Sequence, residues 1–345
     1  MGSMLKTLKE LCVLTGVSGN EDAVREYIVR QIDGFCDWRI DPLGSIIAEK
    51  KGKNRAAKRL MVSAHMDEVG FIVTGVNDAG LLLFSAVGGI DARVVLGRPV
   101  LVGPEKLVGV IGTKAVHMQS ADERETAVPM DKLYIDIGAK DKEDALSRVS
   151  LGDRASFQPL YQSFGSGLIR GKALDDRVGC AIMTELIRGE LEYDAVFAFV
   201  VQEEIGLRGA RAASFSVNPE IAIVLETTTA ADLPGAEDGK RVCELGSGPV
   251  VSFMDRSTSY DRGLYKRAFA LAEAKGVPCQ TKTMIAGGND AGAIHVSRGG
   301  VRTLAVSAPC RYLHSPVCVV KESDLVQMME LTRLLVDDFA GGKDE

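Results

Sequence analysis

The sequence predicts an α/β protein in which one α/β domain is interrupted by a smaller β domain. Two textures predict it. Helical periodicities alternate with apolar runs of strand length at the start of the chain and again after Gly165. Between them, from about Val69 to Phe164, only short Val-, Ile- and Gly-rich segments occur, bounded by Gly, Pro or Asp. Alternation on both sides of a β-only stretch reads as an insertion into one sheet rather than domains in series. The length of 345 residues agrees, being roughly two domains at about 150 residues each. The expected division is therefore 4–68 with 165–345 as one discontinuous α/β domain and 69–164 as the insert. Residues 1–3, ahead of a second Met, read as a vector scar.

Each element follows from its pattern. Residues 4–14 put Leu5, Leu8, Leu11 and Cys12 on one helical face. Asn20, Glu21 and Asp22 form an acidic start for a second helix carrying Val24, Tyr27, Ile28 and Ile32. Residues 50–59 hold six basic side chains in ten and read as a solvated hairpin loop. Residues 60–64 read as a buried strand. In the insert, residues 70–76, 81–87, 98–102 and 107–112 read as strands. After it, residues 175–189 read as a helix, 195–201 and 221–225 as buried strands, 263–275 as a helix and 301–307 as a strand. Residues 324–339 read as a closing helix through Leu325, Met328, Leu331, Leu335 and Phe339.

Composition excludes several classes. A net charge of −6 argues against a general nucleic-acid binder. No apolar run approaches the roughly 18 residues of a membrane span. Seven scattered Cys with no CxxC pair exclude a zinc ribbon and a disulfide framework, and read as thiols of a reducing cytoplasm.

The chemistry lies in polar residues that follow buried strands, where sites of open α/β sheets gather. His65 and Asp67 follow residues 60–64. Glu203 and Glu204 follow 195–202, Glu226 follows 221–225, and His314 lies just beyond 301–307. Asp175 and Asp176 open a helix. Taken alone, each has a plainer reading: an HxD pair is common on surfaces, and paired acids often begin helices. Their shared edge favours a divalent-metal site instead. Mixed nitrogen and oxygen donors suit zinc or cobalt, with manganese also admitted, and do not suit a calcium cage. A dinuclear site needs a bridging carboxylate and about two terminal ligands per ion. His65, Asp175, Glu204, Glu226 and His314 supply that count. Asp67 is placed to accept the free ring N–H of His65, and Glu203 is left over as a general base. His117 reads as a solvent or packing residue, and His295 as a packing residue. Gly287 and Gly288 permit close backbone approach of a substrate, with no phosphate-loop pattern around them. A glycosidase would work with two carboxylates and no metal, which leaves the two His unexplained.

These segments resemble the M42 family of dinuclear metallo-aminopeptidases, which includes the glutamyl and tetrahedral (TET) aminopeptidases. The matching stretches are Ser63-Ala64-His65-Met66-Asp67-Glu68-Val69-Gly70, Ala173-Leu174-Asp175-Asp176-Arg177, the run from Val201 to Ala210 around Glu203-Glu204, Gly287-Gly288-Asn289-Asp290-Ala291-Gly292, and Arg311-Tyr312-Leu313-His314-Ser315-Pro316. They run in family order over nearly the whole chain. The resemblance implies a mixed-sheet α/β metallopeptidase domain with an inserted small PDZ-like β-barrel used in dimerisation, and a homo-oligomeric, dodecameric shell. It implies that Asp175 bridges two metals and that the Asp175–Asp176 peptide is cis. His65 and Glu226 would complete one metal site, and Glu204 and His314 the other, with Glu203 as base and Asp67 orienting His65. One departure is Glu226, where many relatives carry Asp. In the related M20 family, Glu there marks carboxypeptidases and deacylases. The reading is thus an aminopeptidase acting on peptides. The alternatives are a carboxypeptidase or N-deacylase of the same clan, or a non-catalytic metal-binding assembly protein. The preferred N-terminal residue is open, with Arg256, Arg298 and Arg311 as unranked counter-charges for an acidic one.

Overall fold

The computed structural model describes residues 2–237 and 240–343. In chain order, α1 (Gly2–Cys12) and α2 (Asp22–Ile32) precede the hairpin β1 (Asp37–Ile40)–β2 (Ile46–Lys50) and β3 (Leu60–His65). The next strands are β4 (Gly70–Val76), β5 (Leu82–Val87), β6 (Pro99–Val102) and β7 (Leu107–Gly112). After the short α3 (Ala121–Glu125) come β8 (Tyr134–Asp136), α4 (Lys142–Leu146) and β9 (Arg154–Phe157). Then follow β10 (Tyr161–Phe164), β11 (Leu168–Gly171), α5 (Leu174–Arg188), β12 (Ala195–Val200), α6 (Arg208–Val217) and β13 (Ile221–Thr229). The chain closes with β14 (Val250–Val251), α7 (Arg262–Lys275), β15 (Gln280–Thr281), α8 (Ala291–Ile294), β16 (Arg302–Cys310), β17 (Cys318–Lys321) and α9 (Glu322–Ala340).

Strands buried on both faces read as continuous apolar runs, and β3 and β12 are buried at every residue. They lie at the centre of an eight-stranded sheet of order β1-β2-β12-β3-β13-β16-β14-β15. β12, β3, β13 and β16 run parallel, while β2 and β14 pair antiparallel to their inner neighbours. The sheet is therefore mixed. Alternate side chains face opposite layers. Leu60, Val62, Phe197, Phe199, Ile223 and Leu225 join the core under α1, α2, α5, α7 and α9. Met61, Val196, Ala198, Ala222 and Val224 pack beneath α6 and α8.

β4-β5-β8-β7-β6-β9 close into a barrel. Phe71 sits at its centre, edge-on to Phe84 and Phe157 at 5.0 and 5.3 Å between ring centroids. Residues 161–164, expected within the insert, lie outside this barrel: β10 pairs with β11, which pairs with β17 of the closing segment. The barrel strands thus span Gly70 to Phe157. Among the described residues no helix is long and apolar enough to cross a membrane.

Candidate active site

The parallel strands deliver the donors to one edge. β3 ends on His65, which pairs in register with Val200 of β12. Just beyond β12, Gln202 takes a left-handed φ of 58°, turning the chain so that Glu203 and Glu204 follow at the same edge. β13 continues through Thr229, so Glu226 is a strand residue rather than one following a strand, and it pairs with Ser307 of β16. The loop after β16 carries His314. Asp175 enters from the start of α5 through a cis Asp175–Asp176 peptide.

The side chains converge. His65 Nε2 stands 3.6 Å from Asp175 Oδ1 and 3.7 Å from Glu226 Oε2. His314 Nε2 stands 3.4 Å from Asp175 Oδ2 and 3.4 Å from Glu204 Oε2. Asp175 therefore turns one oxygen to each His. Three donor sets, His65/Asp175/Glu226, Asp175/Glu204/His314 and His65/Glu203/Glu204, each hold their ligand atoms within 4.8 Å of one another. The site opens on a cleft of about 680 Å³ that Gly287 and Gly288 also line. His117 is exposed, and His295 caps its own helix through a 2.8 Å contact from Nδ1 to the Ala291 carbonyl.

The comparisons with known proteins bear on this constellation. Residues 44–331 match the family described as M42 glutamyl aminopeptidase. The chain belongs to the M42 peptidase family. It is 32% identical to the lysyl aminopeptidase of Pyrococcus furiosus, over 96% of this chain and 96% of that one. It is 30% identical to the glutamyl aminopeptidase of Lactococcus lactis, over 95% and 94%. Among solved structures, the TET1 peptidase of Pyrococcus horikoshii, which can assemble into a tetrahedron or a large octahedral shell, superposes with a TM-score of 0.86. That match has 37% identity and covers 96% of this chain and 99% of that one. This chain is accordingly a peptidase with aminopeptidase relatives.

In this M42 peptidase, the roles around the donors differ in detail from the sequence expectation. His65 Nδ1 lies 3.1 Å from the Asp67 backbone carbonyl and 3.5 Å from its carboxylate. The carbonyl is thus the closer partner of the ring. The Asp67 carboxylate instead accepts from Ser18 Oγ at 2.6 Å and from the backbone N–H groups of Glu203 and Glu204 at 3.0 and 3.2 Å. It ties the two acids to the end of β3. His314 Nδ1 meets the carbonyl of Gly89 at 3.0 Å, so the barrel insert orients one histidine of the site. Thr227 Oγ1 donates to Asp175 Oδ1 at 2.8 Å. Sequence reasoning missed Gly89, Thr227 and Ser18. Only Thr227, beside Glu226 on a strand, carried a local signal.

These contacts test whether the residues fit a metal. Both histidines have Nδ1 against a backbone carbonyl, which can only accept, so Nδ1 carries a proton and Nε2 is the ring atom turned to the acids. Without a bound cation a proton on each Nε2 meets the carboxylate oxygens, and with one the same nitrogen would offer its lone pair to the ion. Glu226 Oε1 is buried with no partner. Asp175, Glu203, Glu204 and Glu226 crowd two imidazoles in a buried place with no Lys or Arg in ion-pair reach among the described residues, so the donor set fits two divalent ions.

Electrostatics agree. Burial pushes the Glu203 and Glu226 carboxyls well above the usual carboxylate range, and the neighbouring acids add to the shift. Burial raises Glu204 to about 7, against the pull of His314. For Asp175, burial works upward, but His314 and His65 hold the carboxyl below its usual range. Burial lowers His314, but Asp175 and Glu204 outweigh it and raise the ring to about 9. Asp290 is fully buried with both oxygens unpartnered, and burial lifts it to about 7. Strained ionisation on this scale marks functional sites.

Proposed function

We propose that this M42 aminopeptidase removes N-terminal residues from peptides with two divalent metals, zinc or cobalt and alternatively manganese. Asp175 would bridge them, with His65 and Glu226 on one ion and Glu204 and His314 on the other. The observation that carries this reading is the pair of histidine Nε2 atoms aimed at the two oxygens of one buried carboxylate. The chemistry such ions supply when bound is Lewis acidity, which lowers the pKa of water towards 7 and polarises the carbonyl under attack.

The chain's own residues do the remaining work. Glu203 lines the cleft, and its raised carboxyl suits it to accept a proton from the attacking water and return it to the leaving amine. Asp67 holds Glu203 and Glu204 by their backbones. Thr227 fixes the rotation of Asp175, and the carbonyls of Asp67 and Gly89 fix the histidine tautomers. Gly287 and Gly288 leave room for the substrate backbone.

Residues 69–164 act as a dimerisation domain in this reading, and the subunits assemble as a dodecamer. Exposed Val108, Val110, Val116 and Met118 on the barrel domain support the first point, and the TET1 likeness supports the second. Free cysteines at all seven positions support a cytoplasmic home. Relatives named for lysine and for glutamate share this family, so charges in the cleft decide which N-terminal residue is taken.

The test is Glu203→Ala assayed on aminoacyl-anilides with metal content measured in parallel. Turnover should fall about 10²- to 10⁴-fold while metal content is retained. Retention of more than about a tenth of kcat would remove Glu203 as the base. His65→Ala and His314→Ala should each lower metal content, and full content in both would sink the ligand set.

A further inference from the structure

The segment between α1 and α2 carries an acid that its own helix does not use. Glu21 stands at the N-terminus of α2, where an acidic side chain commonly serves the first turn. Here it makes no capping hydrogen bond. Its Oε1 instead accepts the Gly19 N–H at 2.7 Å and, 181 residues along the chain, the Gln202 N–H at 3.2 Å. Glu21 is only 4% exposed. Burying a carboxyl is unfavourable, so a helix-start glutamate that turns inward rather than to water has a task inside.

The residue it holds is a strained one. Gln202 has a φ of 58°, a left-handed conformation that a non-glycine residue keeps only where its surroundings enforce it. It leads directly into Glu203. Three consecutive N–H groups end on buried carboxyls: that of Gln202 on Glu21 at 3.2 Å, and those of Glu203 and Glu204 on Asp67 at 3.0 and 3.2 Å. On the other side of the turn, the Glu203 carbonyl accepts from the N–H groups of Gly206 and Leu207 at 2.9 Å, and the Gln202 carbonyl accepts from Arg208 at 3.2 Å. The turn that carries Glu203 is thus gripped from both sides, and Glu21 grips its first residue.

The grip is itself anchored. Ser18 N–H donates to the Glu68 carbonyl at 3.3 Å, and Ser18 Oγ donates to Asp67 at 2.6 Å. The Ser18 carbonyl accepts from Arg154 Nε of β9 at 3.1 Å. The segment is therefore tied to the end of β3 and to the barrel before Glu21 reaches Gln202. Burial pushes the Glu21 carboxyl up to about 7, with the Asp67 charge adding and the two N–H groups opposing. Either protonation state leaves an oxygen that accepts both N–H groups, so position rather than charge does the holding.

We infer that Glu21 is a positioning residue for catalysis: its hydrogen bond to the Gln202 N–H fixes the left-handed turn that aims Glu203 into the cleft. The inference rests on the reading of Glu203 as the base. Glu21 is not among the described residues that line the cleft, so its effect on rate passes through Glu203 and not through contact with substrate.

The test uses the metal-loaded enzyme and the aminoacyl-anilide that wild type cleaves best, with Tm and metal content measured alongside. Glu21→Met fills the space without an acceptor, Glu21→Asp keeps the charge but is one methylene short, and Glu21→Gln keeps an acceptor oxygen at the same reach. Glu21→Met should lower kcat about 10- to 100-fold with KM and metal content as in wild type. Glu21→Asp should also be slow, and Glu21→Gln should stay close to wild type. In a Glu203→Ala background, Glu21→Met should change kcat by less than about 2-fold, because residues that act as a unit are not additive. Unchanged kcat in Glu21→Met, or an equal loss in both backgrounds, overturns the inference. A Glu21→Gln variant as slow as Glu21→Met, or a Glu21→Asp variant as fast as wild type, overturns it as well, since charge would then matter and the hydrogen bond would not. Loss of metal in Glu21→Met also overturns it, because the grip would then serve Glu204. Should Glu21→Met not fold, Glu21→Asp carries the same comparisons. A Glu203→Ala enzyme that stays active would sink the base reading and this inference with it, a failure visible without any Glu21 variant.

Discussion

Two buried charged clusters lie side by side in this protein, built from the same segments, and they are balanced in opposite ways. In one, Glu68 is 2% exposed, and both of its oxygens accept from Lys172 Nζ at 2.7 Å. Gly16 N–H adds a 2.9 Å bond, and Lys172 also reaches the Leu14 carbonyl at 2.6 Å. Arg177 joins Glu68 at 3.7 Å and donates to the Leu11 carbonyl at 2.7 Å. Each acid there has a protein cation, and the cluster pins the segment after α1 to the sheet. In the other, three residues before Glu68 and three after Lys172, His65 and Asp175 sit among Glu203, Glu204 and Glu226 with no Lys or Arg in ion-pair reach among the described residues. The difference teaches that burial alone does not identify a metal site. A buried acid with its own cation is a strut, whereas a cluster of buried acids without one is the arrangement that the proposed external cations would balance.

The largest expected effect breaks the strut. Glu68→Ala leaves Lys172 buried without a counter-charge and should cost about 3–5 kcal/mol of stability, measured by urea unfolding of the metal-loaded protein. A loss under about 1 kcal/mol would mean that the strut is not a balanced pair.

The next effect is on the metal-stripped protein and separates the clusters by pH. Glu204 has a folded pKa of about 7, above its ordinary 4.5, and His314 has one of about 9, above 6.5. A raised folded pKa contributes stability that is complete below the unfolded value and lost as pH rises through the folded one. Both groups therefore weaken the stripped protein as pH climbs from about 4.5 to about 9. Asp175, held below its usual range, contributes throughout that window. Calorimetric Tm should fall across it and be restored by zinc. A stripped protein whose Tm rises over the same window would contradict the assignment of these groups as unbalanced.

The smallest effect sharpens the comparison within the second cluster. Thr227→Val removes the 2.8 Å bond to Asp175 without changing any charge. A hydrogen bond to a charged group is worth about 1.5–3 kcal/mol, so kcat/KM should fall about 10- to 100-fold with the metals still bound. An unchanged rate would show that the metals alone orient Asp175.

Local pattern alone was enough for the domain interruption and for bringing six polar side chains to one place. Apolar runs such as residues 195–201 are buried by their composition wherever they are placed, and a parallel strand presents the residues that follow it at one sheet edge. That is why His65, Asp175, Glu203, Glu204, Glu226 and His314 were legible as a group. The ends of elements were less legible. Thr227–Thr229 extend β13 past Glu226 because β16 offers a pairing partner there, and β10 leaves the insert because β11 does. Partnerships were decided only by the tertiary structure. The Asp67 carbonyl, rather than its carboxylate, is the nearer partner of His65, Gly89 reaches His314 from 225 residues away, and Arg311 is occupied by Asp232. The physical reason is that charge balance and tautomer depend on which groups meet after folding. Those meetings join residues far apart in the chain, at distances that sequence spacing does not encode.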